Sequence, residues 1–242
     1  GKESWIKHNV NNSTEISLFL EEYLNTRVLV DINVRVYTVF EKCENRTFSH
    51  DDFMLITIRS GSGSGIFLNG NLYYGHQEHA GEIGHMTVNK NGIKCVCGRE
   101  GCLQTEVNQN RLYKQYLQKV LLQKDVAHDD PPQEELLQNL PKLFSQAKNG
   151  DKAAAKIIQK TVGYLGKSIA HTLIILNIPH IIISGHFGTD GDVILKPLEE
   201  EIRKRILSRM DFSLSYLPLE NKGFTVGAAL LIFKDYFTDI PI

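Results

Sequence analysis

One histidine and three cysteines within a short stretch of the chain form the pattern with the clearest chemistry. They are His85, Cys95, Cys97 and Cys102. One imidazole nitrogen and three sulfurs suit a tetrahedral zinc ion, and Gly98 and Gly101 permit the tight turns that such a loop requires. Three thiolates would give the zinc site a net charge of about −1, which is typical of a closed structural site. The alternative is a loop of reduced thiols that holds no metal.

A carboxylate lies three residues before the histidine, at Glu82. Glutamate accepts hydrogen bonds from pairs of neighbouring hydroxyl groups, and histidine can donate or accept one. Sugars present such pairs of hydroxyls. If one nitrogen of His85 binds the metal, the other is oriented towards a ligand, and the metal acts as a positioning group. Taken alone, Glu82 is equally well explained as a solvated surface residue.

A second short motif, at residues 60–65, consists of alternating serines and glycines. The backbone N–H groups of such a turn can bind phosphate, and Ser60, Gly61 and Gly63 are the candidates for this role. A plain β-turn is the commoner origin of this pattern, because short serine-glycine runs often occur without a ligand.

Composition narrows the classes of function. The 242 residues are 42% hydrophobic, which is enough for a sizeable core, and the formal net charge of −1 gives no basic surface for nucleic acid. No apolar run approaches the roughly 20 residues that span a bilayer, and the polar start of the chain has no signal-peptide core. We therefore expect a cytoplasmic protein, with any DNA contact lying outside these residues.

Hydrophobic patterning predicts helices that alternate with strands, and hence an α/β fold. It predicts a helix capped by Asn12, a strand at 27–32 and a helix at 34–42. Strands at 53–58 and 66–68 and the hairpin signal Asn69-Gly70 follow. The remaining predictions are helices at 107–124 and 152–176, a strand at 180–184, a helix at 195–208 and a strand near 212–217.

The run AGEIGHMTVNKNGIKCVCGREGCLQ, at residues 80–104, resembles the ROK family, named for repressors, open reading frames and kinases. The Glu-x-Gly-His motif, the Cys-x-Cys-Gly-x-x-Gly-Cys motif and the spacing between them all match. The resemblance implies a two-lobed fold of the actin-like, ribonuclease-H-like ATPase type, with a sugar in the cleft and zinc ordering one wall. It implies that residues 1–50 are the remainder of an incomplete small lobe. Residues 51–242 would form the large lobe, with a last helix that can return to the small one.

The same resemblance identifies positions on which kinase activity depends. Family kinases have an Asn-Asp pair after the strand matched here by 28–32, and the Asp takes the proton from the attacking sugar hydroxyl. This chain has Ile32 and Asn33 there, and an amide cannot serve as a general base. In addition, Gln104 replaces a Glu of many members, and Arg59 replaces a glycine of the phosphate loop.

Three functions are compatible with these residues. The first is the effector-binding and oligomerisation domain of a ROK-type repressor, with no kinase activity. Its sugar or sugar-phosphate contacts would be Asn33, Glu82, His85 and Gln104. By resemblance it would form a homodimer or larger assembly, and would bind DNA only through a helix-turn-helix preceding residue 1. The alternatives are a ROK-type kinase that transfers the ATP γ-phosphate to a hexose, and a zinc-bearing interaction module that binds no small molecule.

Overall fold

The computed structural model describes residues 13–44, 50–126, 130–185, 187 and 192–236. The predicted helix cap at Asn12 therefore lies outside the described residues. The chain divides into two compact units, one formed by Gly1–Arg46 with Asn221–Ile242 and the other by Thr47–Glu220. The lobes inferred from the family resemblance, 1–50 and 51–242, stay a prediction.

Three helices make up the described part of the first unit. They are α1 (Ser13–Leu24), α2 (Asn33–Glu44) and, from the end of the chain, α8 (Lys222–Tyr236). The rings of Tyr37 on α2 and Phe224 on α8 have centroids 5.0 Å apart. A Cβ atom at Gly227 would lie 2.1 Å from the carbonyl oxygen of Val36, so only glycine allows α8 to approach α2 this closely.

The strand predicted at 27–32 is wrong, because these residues form no regular secondary structure. A strand requires hydrogen bonds to a neighbouring strand, and the strands in the described residues all belong to the sheet of the other unit. The segment is held instead by side chains of α1. The Ser17 hydroxyl donates to the carbonyl oxygen of Val28, and the Val28 N–H donates to Glu21, each at 2.9 Å.

The described part of the second unit contains one five-stranded sheet with strand order β3-β2-β1-β4-β5. The strands are β1 (Phe53–Ile58), β2 (Ser62–Leu68), β3 (Asn71–Leu72), β4 (His180–Gly185) and β5 (Ser213–Pro218). β1 runs antiparallel to β2 and parallel to β4, which is parallel to β5. The hairpin signal Asn69-Gly70 is confirmed, since both residues have positive φ between β2 and β3. This mixed sheet confirms the predicted α/β class.

Five helices of the second unit pack around the sheet in the described residues. They are α3 (Leu103–Val107), α4 (Gln109–Lys119), α5 (Gln133–Lys148), α6 (Lys152–Leu176) and α7 (Asp192–Arg203). The predicted bounds of α6 are confirmed. The helix predicted at 107–124 is confirmed over Gln109–Lys119 and is shorter than predicted at both ends. It begins later because Asn108 leaves the helical conformation and its side chain accepts a hydrogen bond from the Arg111 N–H at 2.7 Å. Asn108 thus ends α3 and caps α4.

Across the described residues, every helix is too short or too polar to span a bilayer.

Candidate metal centre and adjoining residues

The serine-glycine motif belongs mostly to a strand, because Ser62 to Gly65 pair with β1. Only residues 59–61 form the turn, which the Arg59 N–H closes by donating to the carbonyl oxygen of Gly61 at 2.8 Å. Of the predicted phosphate-loop residues, Ser60 and Gly61 lie in this hairpin turn and Gly63 lies in β2. A phosphate-binding role for them stays a prediction.

The loop that carries Glu82 and His85 is fixed against β2. The carbonyl oxygen of Gly81 accepts hydrogen bonds from both the N–H and the hydroxyl of Ser64, each at 2.9 Å. Ile83 is buried, and Ile83–His85 forms a single 3₁₀ turn. Gly84 lies so close to β2 that a Cβ atom would be 1.8 Å from the carbonyl oxygen of Ser62. The ring of His85 is therefore positioned directly by the sheet.

Gly84→Ala is expected to destabilise the fold by about 3 kcal/mol, because the methyl group would force the His85 loop away from β2. Gly163→Ala is the matched control. Gly163 lies within α6, and a Cβ atom there would meet no atom within 4 Å. Because alanine favours the helical conformation, Gly163→Ala should slightly stabilise the folded protein. Urea unfolding of the two variants tests this account of the loop, and equal midpoints would contradict it.

The three cysteines converge because the chain folds back on itself twice between Thr87 and Cys102. The Cys95 N–H donates to the carbonyl oxygen of Arg99 at 2.7 Å, and isolated β-bridges join Lys94 to Glu100 and Thr87 to Cys102. Gly101 has φ +66°, and a Cβ atom there would lie 1.5 Å from the carbonyl oxygen of Asn89. Glycine is therefore required at position 101, both for the positive φ and for the close approach to Asn89.

The four predicted metal ligands lie together. One donor atom from each of His85, Cys95, Cys97 and Cys102 lies within 4.8 Å of the other three. The Sγ atoms of Cys97 and Cys102 are 3.5 Å apart, and Nδ1 of His85 is 3.6 Å from Sγ of Cys95. Tetrahedral zinc with Zn–S bonds of about 2.3 Å places neighbouring ligand atoms about 3.5–3.8 Å apart. The cluster has the donors and spacing to hold a metal ion.

The thiols of this cluster differ strongly in electrostatic environment. The backbone N–H and the side chain of Arg99 donate to the exposed Cys97 and lower the pKa of its thiol to about 6. Burial, followed by the hydrogen bonds that the Cys102 thiol donates to Cys97 and Cys95, raises the pKa of this thiol to about 12. Cys97 can therefore present a thiolate at neutral pH before a metal arrives, whereas Cys102 must release a proton when it binds.

The remaining predicted sugar contacts of the second unit surround His85. Its Nε2 atom is 3.7 Å from Oε2 of Glu82, so its two ring nitrogens face different partners. Nε2 of Gln104 donates to Sγ of Cys95 at 3.2 Å, and Oε1 of Gln104 lies beside Gly84. The structure thus brings Glu82, His85 and Gln104 together with the cysteines. Asn33 belongs to the first unit, where it is the exposed first residue of α2.

Sequence reasoning missed the pair that fastens the metal loop to α3. The Glu106 carboxylate is only 4% exposed and accepts a hydrogen bond from Nδ2 of Asn89 at 3.0 Å. A signal was present, because Glu106 lies on the same helix face as the buried Leu103. A carboxylate at a core position indicates an internal partner, since unpaired buried charges are costly.

Comparison with known proteins places these features in a family context. The model of the ROK family matches residues 5–235. A glucokinase of Halalkalibacterium halodurans is 30% identical over 216 residues, covering 88% of this chain and 66% of that protein. The xylose repressor of Bacillus subtilis is 25% identical over 223 residues, covering 91% of this chain and 54% of that protein.

Solved structures confirm the fold class. A ROK family transcriptional regulator, a homolog of the E. coli MLC protein, superposes with a TM-score of 0.72 at 24% identity. It covers 90% of this chain, which spans 54% of that structure. ROK kinases superpose similarly, and the shared fold is the actin-like ATPase fold. The chain therefore spans between about half and two thirds of the length of these relatives.

Proposed function

Because the chain belongs to the ROK family, whose members here include a glucokinase and a repressor, we propose that it acts as the effector domain of a repressor. The observation that carries this choice is the amide at Asn33, where family kinases have the aspartate that accepts the sugar proton. An amide can hold a sugar hydroxyl but cannot take up its proton at neutral pH. Asn33 would therefore contribute to binding and not to phosphoryl transfer.

The neighbouring carboxylate offers no substitute base. Asp31 accepts a hydrogen bond from the Ile32 N–H at 2.6 Å and forms an ion pair with Nε of Arg35 at 2.5 Å. Arg35 is 3% exposed, so this pair is largely shielded from water. The Asp31 carboxylate is thus committed to holding the start of α2. Its contacts support a structural role in place of a catalytic one.

The effector we propose is a sugar or sugar phosphate held in part by Glu82, His85 and Gln104. The half-exposed carboxylate of Glu82 can accept hydrogen bonds from two adjacent hydroxyls, and Nε2 of His85 faces the same side. Because Nε2 of Gln104 uses one of its two N–H donors on Cys95, its other N–H and its Oε1 atom are left for a ligand. These side chains favour a ligand rich in hydroxyl groups.

Zinc is the ion we propose for the cluster of His85 and the three cysteines, since one nitrogen and three sulfurs match its preferred donors. A bound zinc ion would supply structural order and not chemistry, because four protein ligands close its coordination shell. Nδ1 of His85 faces the cysteines while Nε2 faces Glu82. Metal binding through Nδ1 would fix the ring orientation in which Nε2 is presented to a sugar.

In this proposal the sugar acts as a cytoplasmic signal. It would bind one conformation of the chain more tightly than another and so shift the population between them. Coupling to an operator would run through a homodimer or larger assembly and a helix-turn-helix preceding residue 1. This coupling is reciprocal: operator DNA would change the affinity for sugar by the same factor by which sugar changes the affinity for operator DNA.

The kinase alternative is tested by phosphoryl transfer. Metal-loaded protein should form no sugar phosphate from ATP and a panel of hexoses, amino sugars and pentoses, because loss of a general base alone costs about 10²–10⁴-fold in rate. The glucokinase of Halalkalibacterium halodurans, assayed in parallel, serves as the active control. Sugar-dependent product formation by this chain would overturn the proposal and favour a kinase.

A further inference from the structure

A second concave site lies in the Thr47–Glu220 unit, between α4 and the first turns of α6. It is a cavity of about 320 Å³ that shares no residue with the metal centre. Three of its lining side chains are lysines, namely Lys119 at the end of α4 and Lys156 and Lys160 on α6. A volume of roughly 300 Å³ is at the lower end of the range for small-molecule sites.

The cavity is positively charged, although the whole chain carries a formal net charge of −1. No carboxylate lines it, and in the described part of the chain neither Lys119 nor Lys156 forms an ion pair. Lys160 lies 5.5 Å from the ring centroid of Tyr164. The nearby Asp151 is occupied as the cap of α6, where it accepts from the Ala154 N–H at 2.8 Å. Three ammonium groups around one cavity repel each other, and a bound anion would relieve that repulsion.

A glutamine amide adds polar groups to the cavity. Gln115 lines the cavity, is only 6% exposed, and makes no side-chain hydrogen bond within the described residues. Although the residue as a whole is buried, its amide atoms are not enclosed, so they face the open cavity. A polar ligand there could accept from or donate to this amide in place of water. Gln159 adds a second amide at the rim.

We propose that this cavity binds a phosphate monoester of a small, sugar-sized metabolite. The three lysines would hold the phosphate, since ammonium groups bind it by charge-assisted hydrogen bonds. The amides of Gln115 and Gln159 would bind hydroxyl groups, and Ile157 gives an apolar contact. This second site is separate from the proposed sugar site, so either can exist without the other.

The first test is protection of lysines from chemical acylation, read by mass spectrometry of the full chain. Glucose 6-phosphate and inorganic phosphate should lower the labelling of Lys119, Lys156 and Lys160 relative to sodium chloride of equal ionic strength. Lys142, an exposed lysine of α5 whose Nζ donates to Asn139, should be labelled equally in all samples. Equal labelling of the three cavity lysines with and without phosphate would overturn the proposal.

A variant of the three cavity lysines tests whether they are the residues that bind the phosphate. The triple change K119Q/K156Q/K160Q alters exposed side chains and should weaken glucose 6-phosphate binding at least about 100-fold, since each lost charged hydrogen bond costs about tenfold or more. Lys142→Gln is the matched control and should bind as the unchanged protein does. Inorganic phosphate separates this site from the proposed sugar site, because it carries no sugar hydroxyls for Glu82 to bind and should lose affinity in the triple variant as glucose 6-phosphate does. Equal phosphate affinity in the triple variant and in Lys142→Gln would contradict the assignment.

Discussion

Cys102→Ser is expected to abolish tight metal binding and to lower the melting temperature of the protein by roughly 10 °C. Cys102 is fully buried and its sulfur lies 3.5 Å from that of Cys97. A serine hydroxyl is a poor zinc ligand, so the variant would lose a donor at the centre of the cluster. An ion present at about 1,000 times its Kd stabilises the folded state by about 4 kcal/mol, and the variant would lose this stabilisation.

The measurement combines metal content by elemental analysis with the melting temperature of the same sample. Cys43→Ser is the matched control, because Cys43 is the cysteine outside the cluster and lies on α2. It should retain stoichiometric metal and melt close to the unchanged protein. A metal centre at these four residues is refuted if both variants retain the same metal content.

Glu82→Gln is expected to weaken sugar binding about 10–100-fold while leaving the melting temperature unchanged. A hydrogen bond to a charged group contributes about 1.5–3 kcal/mol, which corresponds to this range. Because the Glu82 side chain is 47% exposed, little packing is lost with the change. The neutral amide retains the shape of the side chain but can accept through one oxygen only.

Isothermal titration with the sugar that binds the unchanged protein gives the comparison. Glu100→Gln is the control, since Glu100 is an exposed carboxylate in the metal loop and undergoes the same chemical change. Its sugar affinity should stay within about twofold of the unchanged protein, because surface changes distant from a ligand have small effects. Equal affinities in all three proteins would remove Glu82 from the sugar site.

The metal cluster could be predicted because its ligands are few, chemically distinctive and close in sequence. A short loop with glycines at its turns can bring these ligands together through local folding alone. Gly101 is an example, because its lack of a side chain lets the backbone pass close to the carbonyl oxygen of Asn89. The bounds of α6 could also be predicted from the sequence. Asp151 caps the start of this helix, and Asn177 adopts a left-handed conformation at its end.

Features that depend on distant partners could not be predicted in this way. The β-branched run at 27–32 has strand propensity, yet no neighbouring strand in the described residues pairs with it. The orientation of Gln104, with its amide nitrogen directed at Cys95, follows from the packing of α3 against the metal loop. The lysine-lined cavity arises only when α4 and α6 pack together, so its lysines resemble ordinary surface residues in the sequence.

The central claim is that this chain binds a sugar at a metal-ordered site without phosphorylating it. The most direct test is calorimetric titration of hexoses, amino sugars, pentoses and their phosphates into metal-loaded and chelator-stripped protein, followed by ATP addition and product analysis. We predict that one class of sugar binds the loaded protein, binds the stripped protein more weakly, and is recovered unchanged after ATP is added. Recovery of a newly phosphorylated sugar, or equal affinity with and without the metal, would contradict the account.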